Sequence, residues 1–103
     1  MITSHVESNE VRATQIKVDD TTLTVDLADA RTISVPLAWF PRLSHGTAKE
    51  RNHWRFIGGG AGIQWPDLDE DISVASLLAG RKSAESPDSL QRWLNGRRAS
   101  KSS

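Results

Sequence analysis

The residues from Gly58 to Gly62 form a glycine-rich cluster of the kind that can cradle a phosphate. A phosphate loop needs its glycines at set offsets between a strand and a helix, and a Walker loop also needs Lys followed by Ser or Thr. Here Ile63 and Gln64 follow Gly62 instead. The cluster is more typical of a hairpin bend whose glycines adopt positive φ.

Three aspartates, Asp67, Asp69 and Asp71, have the alternating spacing that opens a calcium-binding loop. That loop needs glycine at its sixth position and glutamate at its twelfth, where this sequence has Ile72 and Leu78. The ligand set is therefore incomplete. The acidic block instead favours the start of a helix, where the helix dipole stabilises negative charge.

Other catalytic or metal-binding patterns are weak in this sequence. The three histidines, His5, His45 and His53, have no spacing that would place two of them on one metal ion. Ser44 stands next to His45 without an elbow motif, so the two do not form a nucleophile and base pair. The chain has no cysteine, which excludes disulfides, cysteine-based zinc sites and thiol nucleophiles. We therefore expect a protein that is not an enzyme and uses no cofactor or metal.

Tryptophan and arginine, which dominate the energetics of protein interfaces, are prominent here. The chain has four tryptophans and no tyrosine. Most of the tryptophans are expected in the core, with one or two at an edge as interface anchors. The predicted partner contacts are Trp39, Arg51, Trp54, Arg55, Trp65 and Trp93.

Charge is balanced over the whole chain but not along it. The net charge is zero, yet residues 1–80 carry −4 and residues 81–103 carry +4. A globally basic nucleic-acid binder is excluded, whereas the basic end could contact phosphates locally. The residues for that alternative are Arg92, Arg97, Arg98 and Lys101. A solvated helix face would account for the same charges.

Hydrophobic periodicity predicts the elements that position these residues. Apolar and polar residues alternate from Leu23 to Leu27, and the same pattern ends in Val18 before this segment and returns at Ile33 after it, so we expect a three-stranded antiparallel meander. Asp29-Ala30 is the predicted second turn, a two-residue type I′ turn with positive φ at both residues.

The rest of the chain is predicted to contain three helices and a second hairpin. A capping box of Thr47 and Glu50 predicts a short helix from Ala48 to about His53. The runs 54–57 and 63–65 predict a β-hairpin, followed by a helix over 73–79. Ser86 before Pro87 predicts a last helix that ends at Gly96.

The predicted protein is therefore of the α+β class. It has an N-terminal three-stranded antiparallel meander, a short helix, a β-hairpin and then C-terminal helices. We expect a disordered tail over 1–10, an α+β domain over 11–80, and a basic C-terminal helix and tail over 81–103. There is no signal-peptide pattern and no apolar run near the roughly 20 residues of a membrane span, so we expect a cytoplasmic protein with no membrane contact.

Three segments together resemble the bacterial domain-of-unknown-function family 2442, over about residues 11–80. They are VPLAWFPRL at 35–43, TAKERNHW at 47–54, and GIQWPDLDEDISV followed by LLAG within 62–80. The resemblance implies a small α+β domain without an established activity. Some relatives look fused to helix-turn-helix modules, and others lie beside a small partner protein in pairs that look like toxin and antitoxin.

The chain departs from the family pattern in two places. Asp29-Ala30 stands where an Asp-Gly turn is common, and no DNA-binding module follows Gly80, which counts against direct DNA reading. We therefore expect a small binding or regulatory module, antitoxin-like or adaptor, that contacts another small bacterial protein, such as one from a neighbouring gene. A homodimer is also compatible with the sequence. The alternative function is that of a nucleic-acid-associated regulator with weak contacts through the basic end.

Overall fold

The computed structural model describes the backbone of residues 11–102 and the side chains of residues 11–97. The predicted tail over 1–10 and the side chains of Arg98 and Lys101 lie outside the described residues. The strands are β1 (Ala13–Val18), β2 (Thr22–Leu27), β3 (Thr32–Pro36), β4 (Arg55–Ile57), β5 (Gly62–Trp65) and β6 (Glu70–Ser73). The α-helices are α1 (Pro41–Ser44), α2 (Ala48–Arg51), α3 (Val74–Leu78) and α4 (Pro87–Ser102), with 3-10 turns at Leu37–Trp39, Gly58–Gly60 and Pro66–Leu68.

Strands β1, β2 and β3 form the predicted antiparallel meander, which confirms the first sheet. Ile16 pairs with Val25, and Val25 pairs with Ile33, so one row of apolar side chains crosses the inner face. Lys17 and Thr24 lie in the next row, on the outer face. This alternation buries one face and leaves the other polar, as a period of two requires.

The turn between β2 and β3 differs from the predicted two-residue turn. Ala30 has φ 77°, but it is the only residue of the loop with positive φ. Its amide donates to the carbonyl of Leu27 at 3.0 Å, and the amide of Leu27 donates to the carbonyl of Arg31 at 2.8 Å. The loop therefore has three residues and ends in a left-handed one, a common hairpin arrangement in which a single positive φ suffices. The carboxylate of Asp29 supports it by accepting a bond from the amide of Arg31 at 3.1 Å.

Strands β4 and β5 form the predicted second hairpin, and β6 adds a third strand to it. The expectation that the acidic block precedes a helix directly is wrong, because Glu70 and Asp71 lie in β6. Ile72 pairs with Ile63 and is buried, whereas its neighbours Asp71 and Ser73 are exposed. This alternation is typical of a strand and not of the segment that leads into a helix. Asp69, just before β6, has φ 52°.

The glycine cluster makes a close backbone contact rather than a phosphate cradle. Gly60 has φ 100°, and a Cβ there would lie 2.7 Å from the carbonyl oxygen of Ala13. The carbonyls of Gly58 and Gly59 accept hydrogen bonds from Nη1 of Arg12 at 3.1 and 3.0 Å. Since these carbonyls are turned toward a cation, this bend is suited to guanidinium rather than to phosphate.

The helix starts follow their predicted caps, whereas the last helix ends later than predicted. Thr47 and Glu50 form the capping box of α2, which ends at Arg51. The hydroxyl of Ser86 accepts from the amide of Ser89 at 3.1 Å at the start of α4. The predicted stop at Gly96 is wrong, because Gly96 does not adopt the left-handed conformation that ends a helix and α4 continues to Ser102.

Side chains from both sheets and from α1 and α3 meet in one buried cluster. Its described members lie between Ala13 and Leu77, and Trp65 and Leu23 are fully buried within it. The α+β class is thus confirmed. In the described part of the chain, no helix has both the length and the apolar character needed to cross a membrane.

Candidate functional site

Two of the predicted partner contacts lie inside the domain. Trp65 is fully buried, and its Nε1 donates to the carbonyl of Arg51 at 3.0 Å. The guanidinium of Arg51 is itself buried and donates to the carbonyls of Leu43 and Gly46 at 3.3 and 2.6 Å, and to Asp20 at 3.2 Å. Neither side chain is accessible to a partner. They hold together the loops around α1 and α2.

Arg55 begins β4, an edge strand of the second sheet, and Trp54 directly precedes it. The ring of Trp54 is half-buried and tilted against Phe56, with centroids 5.0 Å apart. Arg55 is exposed and pairs with the amide oxygen of Gln64 on the neighbouring strand. These residues remain candidates for partner contact.

Two guanidinium groups lie over the ring of Trp93. The Cζ atom of Arg42, on α1, is 5.1 Å from the centroid of the indole ring, and that of Arg97, on α4, is 4.8 Å away. Trp93 also packs against the buried core. A cation over an aromatic face is attracted by the negative potential of the ring. This contact docks α4 on its own domain.

A bidentate ion pair anchors the start of the C-terminal segment. Arg42 donates Nε to Oε1 of Glu85 at 2.8 Å and Nη2 to Oε2 at 2.6 Å. The two side chains are only 16% and 9% exposed. The bonds from Arg42 lower the pKa of Glu85. Nη1 of Arg42 also donates to the carbonyl of Asp69 at 3.0 Å, which helps hold that residue in its left-handed conformation.

A second bidentate pair fixes the far end of the described part of α4. Arg97 donates to both oxygens of Glu50, at 3.1 and 2.8 Å. The same carboxylate accepts from the amide of Thr47 at 2.9 Å in the capping box. The bonds from Arg97, with that from Thr47, lower the pKa of Glu50 to about 2. Glu50 thus caps α2 and anchors α4.

Trp39 receives the segment that leads into α4. Nζ of Lys82 lies 5.4 Å from its ring centroid, and the amide of Ser83 donates to its carbonyl at 3.0 Å. We call residues 81–97 the C-terminal strap. The surface that it contacts, formed by Trp39, Arg42 and Glu50, is the docking face.

A pocket of about 430 Å³ lies beside the strap. Glu70 lines it on the same face of the second sheet as Trp65, its partner in the ladder. Burial raises the pKa of Glu70 to about 7, against the opposing effect of the Arg42 charge. Among the described residues no group of three His, Asp or Glu side chains is arranged to hold a metal ion.

The docking residues Arg42, Glu50 and Glu85 were not among the predicted site residues. Arg42 and Glu85 are 43 residues apart, and Arg97 and Glu50 are 47 apart. No local spacing could pair them. The one available signal was the capping box, which identified Glu50 for its local role only.

The predicted nucleic-acid residues are not equivalent in the structure. Arg97 is engaged by Glu50 and Trp93, whereas Arg92 is exposed. The side chains of Arg98 and Lys101 lie outside the described residues. The nucleic-acid alternative therefore stays a prediction that depends on Arg92 and on the end of α4.

The fold and the docking face define a small two-sheet α+β domain with an added C-terminal helix. The chain belongs to the family described as protein of unknown function (DUF2442), whose model matches residues 13–83. A protein of unknown function from Rhodospirillum rubrum ATCC 11170 is 28% identical, with a TM-score of 0.66 over 75% of this chain and 95% of that one. An uncharacterized protein from Chromobacterium violaceum, 17% identical, shares the fold with a TM-score of 0.65 over 79% and 76% of the two chains. No curated protein matches the sequence.

Proposed function

We propose that this chain is a non-enzymatic protein-binding module, antitoxin-like or adaptor, whose docking face takes a basic helix carrying a tryptophan and an arginine one turn later. One observation carries the proposal. The docking face already holds such a helix, α4, which lies beyond the family-matched residues 13–83. The natural partner is another small bacterial protein that presents a helix of the same chemistry.

The contacts suit reversible recognition. Trp93 supplies an aromatic anchor, and the guanidinium of Arg42 over its ring contributes about 0.5–1 kcal/mol across the docking face. The bidentate pairs of Arg42 with Glu85 and of Arg97 with Glu50 fix the direction of the helix, because planar guanidinium and carboxylate groups match in one geometry. Tryptophan and arginine in such roles are the residue types that dominate interface energetics.

The energies of these contacts give the expected affinity of the docking face for a free helix. The Arg42 cation over Trp93, the partial burial of the Trp93 ring and the two ion pairs together give a docking free energy of about 3 kcal/mol. A tethered helix with an effective concentration of about 1 mM then corresponds to a Kd near 10 μM for the same helix added freely. That range allows a partner to displace α4.

The charge distribution also favours a basic helix on the docking face. Residues 1–80 carry −4 and residues 81–103 carry +4, so a basic helix approaches an acidic domain. Such attraction accelerates encounter and weakens with salt. Binding should therefore fall between 50 and 500 mM NaCl.

The proposal is tested by adding the helix from outside. A peptide of residues 84–102 is titrated into the full chain carrying Trp93→Ala, whose own α4 docks weakly. We expect a Kd on the order of 10 μM at 50 mM NaCl. A peptide with Trp93→Ala should bind at least tenfold more weakly, and a peptide with Arg92→Ala, altered at an exposed position, within about twofold of the original. Absence of binding up to 1 mM original peptide would contradict the proposal.

A further inference from the structure

We infer that the docking face takes the α4 helix of a second copy of this chain, so that two copies exchange their C-terminal straps in a symmetric dimer. This inference rests on the proposed function, because it names one partner for the same face. It requires that the strap can leave its own domain, that the chain can turn at the junction, and that exchange gains a contact that a single copy lacks.

The strap can leave without opening the core. The described buried apolar residues lie between Ala13 and Leu77, before the strap begins. On α4, Trp93 packs against that core while only half-buried itself. Its other anchors are the pairs of Arg42 with Glu85 and of Arg97 with Glu50, whose side chains lie outside the buried apolar cluster. Detachment therefore breaks these contacts and leaves both sheets paired.

The junction between α3 and the strap can act as the hinge. Gly80 is exposed, has φ 74°, and a Cβ placed there would meet nothing within 4 Å. Residues 81–86 form neither helix nor strand. The first bond from the strap back to the β3–α1 connection is that of the Ser83 amide with the Trp39 carbonyl. Redirecting the chain at Gly80 moves the whole strap once the hydrogen bond from the amide of Arg81 to the carbonyl of Ser76, 3.0 Å long, is broken.

Exchange keeps every docking contact and adds an apolar one. In a two-fold arrangement each strap meets the same residues on the other copy, so each ion pair and stack forms twice. Leu90 and Leu94 are half-exposed on α4, and neither belongs to the set of side chains packed against the core. Two neighbouring α4 helices would cover these leucines together. The −4 domain and +4 end also attract between copies.

The absence of cysteine makes the exchange directly testable. One copy carries Glu50→Cys and the other Arg97→Cys, and the two are refolded together and treated with a bismaleimide that spans about 10 Å, since two cysteines in place of these long side chains lie too far apart for a disulfide. Exchange predicts a cross-link between the copies, because the side chains at the two positions meet across the docking face. As a matched control, Lys17→Cys on the exposed outer face of the first sheet, mixed with Arg97→Cys, should give none. Cross-linking of both pairs alike, or of neither, would overturn the inference.

Mass by light scattering provides the second measurement. We expect the unmodified chain, of 11.4 kDa, to reach twice that mass at high micromolar concentration. Leu90→Ser combined with Leu94→Ser removes the contact that only the dimer has, so this variant should raise the dimer dissociation constant at least tenfold. Arg97→Gln weakens a contact that the closed monomer and the exchanged dimer share, so it should leave that constant nearly unchanged. A dimer unaffected by the two leucine substitutions, or a monomer at 1 mM, would overturn the inference. If the chain stays monomeric while the free 84–102 peptide binds, exchange is wrong and the proposed function stands.

Discussion

The guanidinium of Arg42 donates two hydrogen bonds, of 2.8 and 2.6 Å, to the two carboxylate oxygens of Glu85. The same guanidinium stacks on Trp93 and donates to the carbonyl of Asp69. One side chain therefore joins α1, the turn before β6 and the C-terminal strap. A lysine cannot reproduce this arrangement, because it lacks the planar set of donors.

We predict that Arg42→Lys lowers the free energy of unfolding by about 2 kcal/mol, since it breaks a largely buried bidentate pair. A double-mutant cycle with Glu85→Gln should give a coupling of about 1–2 kcal/mol. Arg31→Lys is the matched control, because its pair with Asp29 is more than half exposed, and it should leave the free energy of unfolding nearly unchanged. Equal costs for the two arginines in urea denaturation would contradict the role given to Arg42.

Glu70 should make stability depend on pH. Its pKa of about 7 lies above the ordinary value of 4.5, so the folded state binds its proton more tightly than the unfolded state does. Stability is therefore lost as pH rises from about 4.5 to 7. Glu70→Gln removes this loss, and after allowance for solvent screening it should stabilise by about 1 kcal/mol more at pH 8 than at pH 4.5. Denaturation of both forms at the two pH values checks this, and a difference independent of pH would refute it.

Ala30→Gly should stabilise the domain by on the order of 1 kcal/mol. Ala30 has φ 77°, where its Cβ is strained and glycine is not. The control is Ala28→Gly in the same loop, at a residue without positive φ, which should destabilise by roughly 0.5–1 kcal/mol through unfolded-state entropy. Denaturation midpoints that move in the same direction for both variants would disprove the assigned turn geometry.

Glycines at two positions should respond oppositely to alanine. Gly60→Ala should destabilise by about 3 kcal/mol, because its Cβ would lie 2.7 Å from the carbonyl of Ala13 and φ is 100°. Gly96→Ala meets nothing within 4 Å and lies inside α4, so it should add up to about 1 kcal/mol of helix stability. Circular dichroism during thermal unfolding measures both. A neutral Gly60→Ala would show that the bend does not approach β1 so closely.

Local chemistry explains which features the sequence could predict. The alternation through Leu23 and Val25 set the inner face of the meander, and the capping box at Thr47 set the start of α2, because each depends on neighbouring residues. The end of α4 was mispredicted because a glycine such as Gly96 ends a helix only when it turns left-handed. The strand β6 was missed because its pairing with β5 is a tertiary event.

The candidate site was largely beyond local patterns. Trp65 and Arg51 have the residue types of an interface, but their burial depends on packing between segments far apart in the chain. The pairing of Arg42 with Glu85 has the same origin. Of the residues in the contact between the strap and the docking face, Trp39 and Trp93 were predicted as partner contacts, on the basis of their residue type.

Native-state hydrogen exchange of the full chain tests most directly whether α4 is a separable helix held on the docking face. We predict that the amides of residues 90–97 open with a free energy several kcal/mol below that of the β2 and β5 amides. Trp93→Ala should abolish the protection of 90–97 and leave β2 and β5 protected, whereas Arg92→Ala should change neither. The separable docking of α4 would be contradicted if its amides exchanged hydrogen with the same opening free energy as those of β2 and β5. Loss of amide protection in these strands upon Trp93→Ala would contradict it as well.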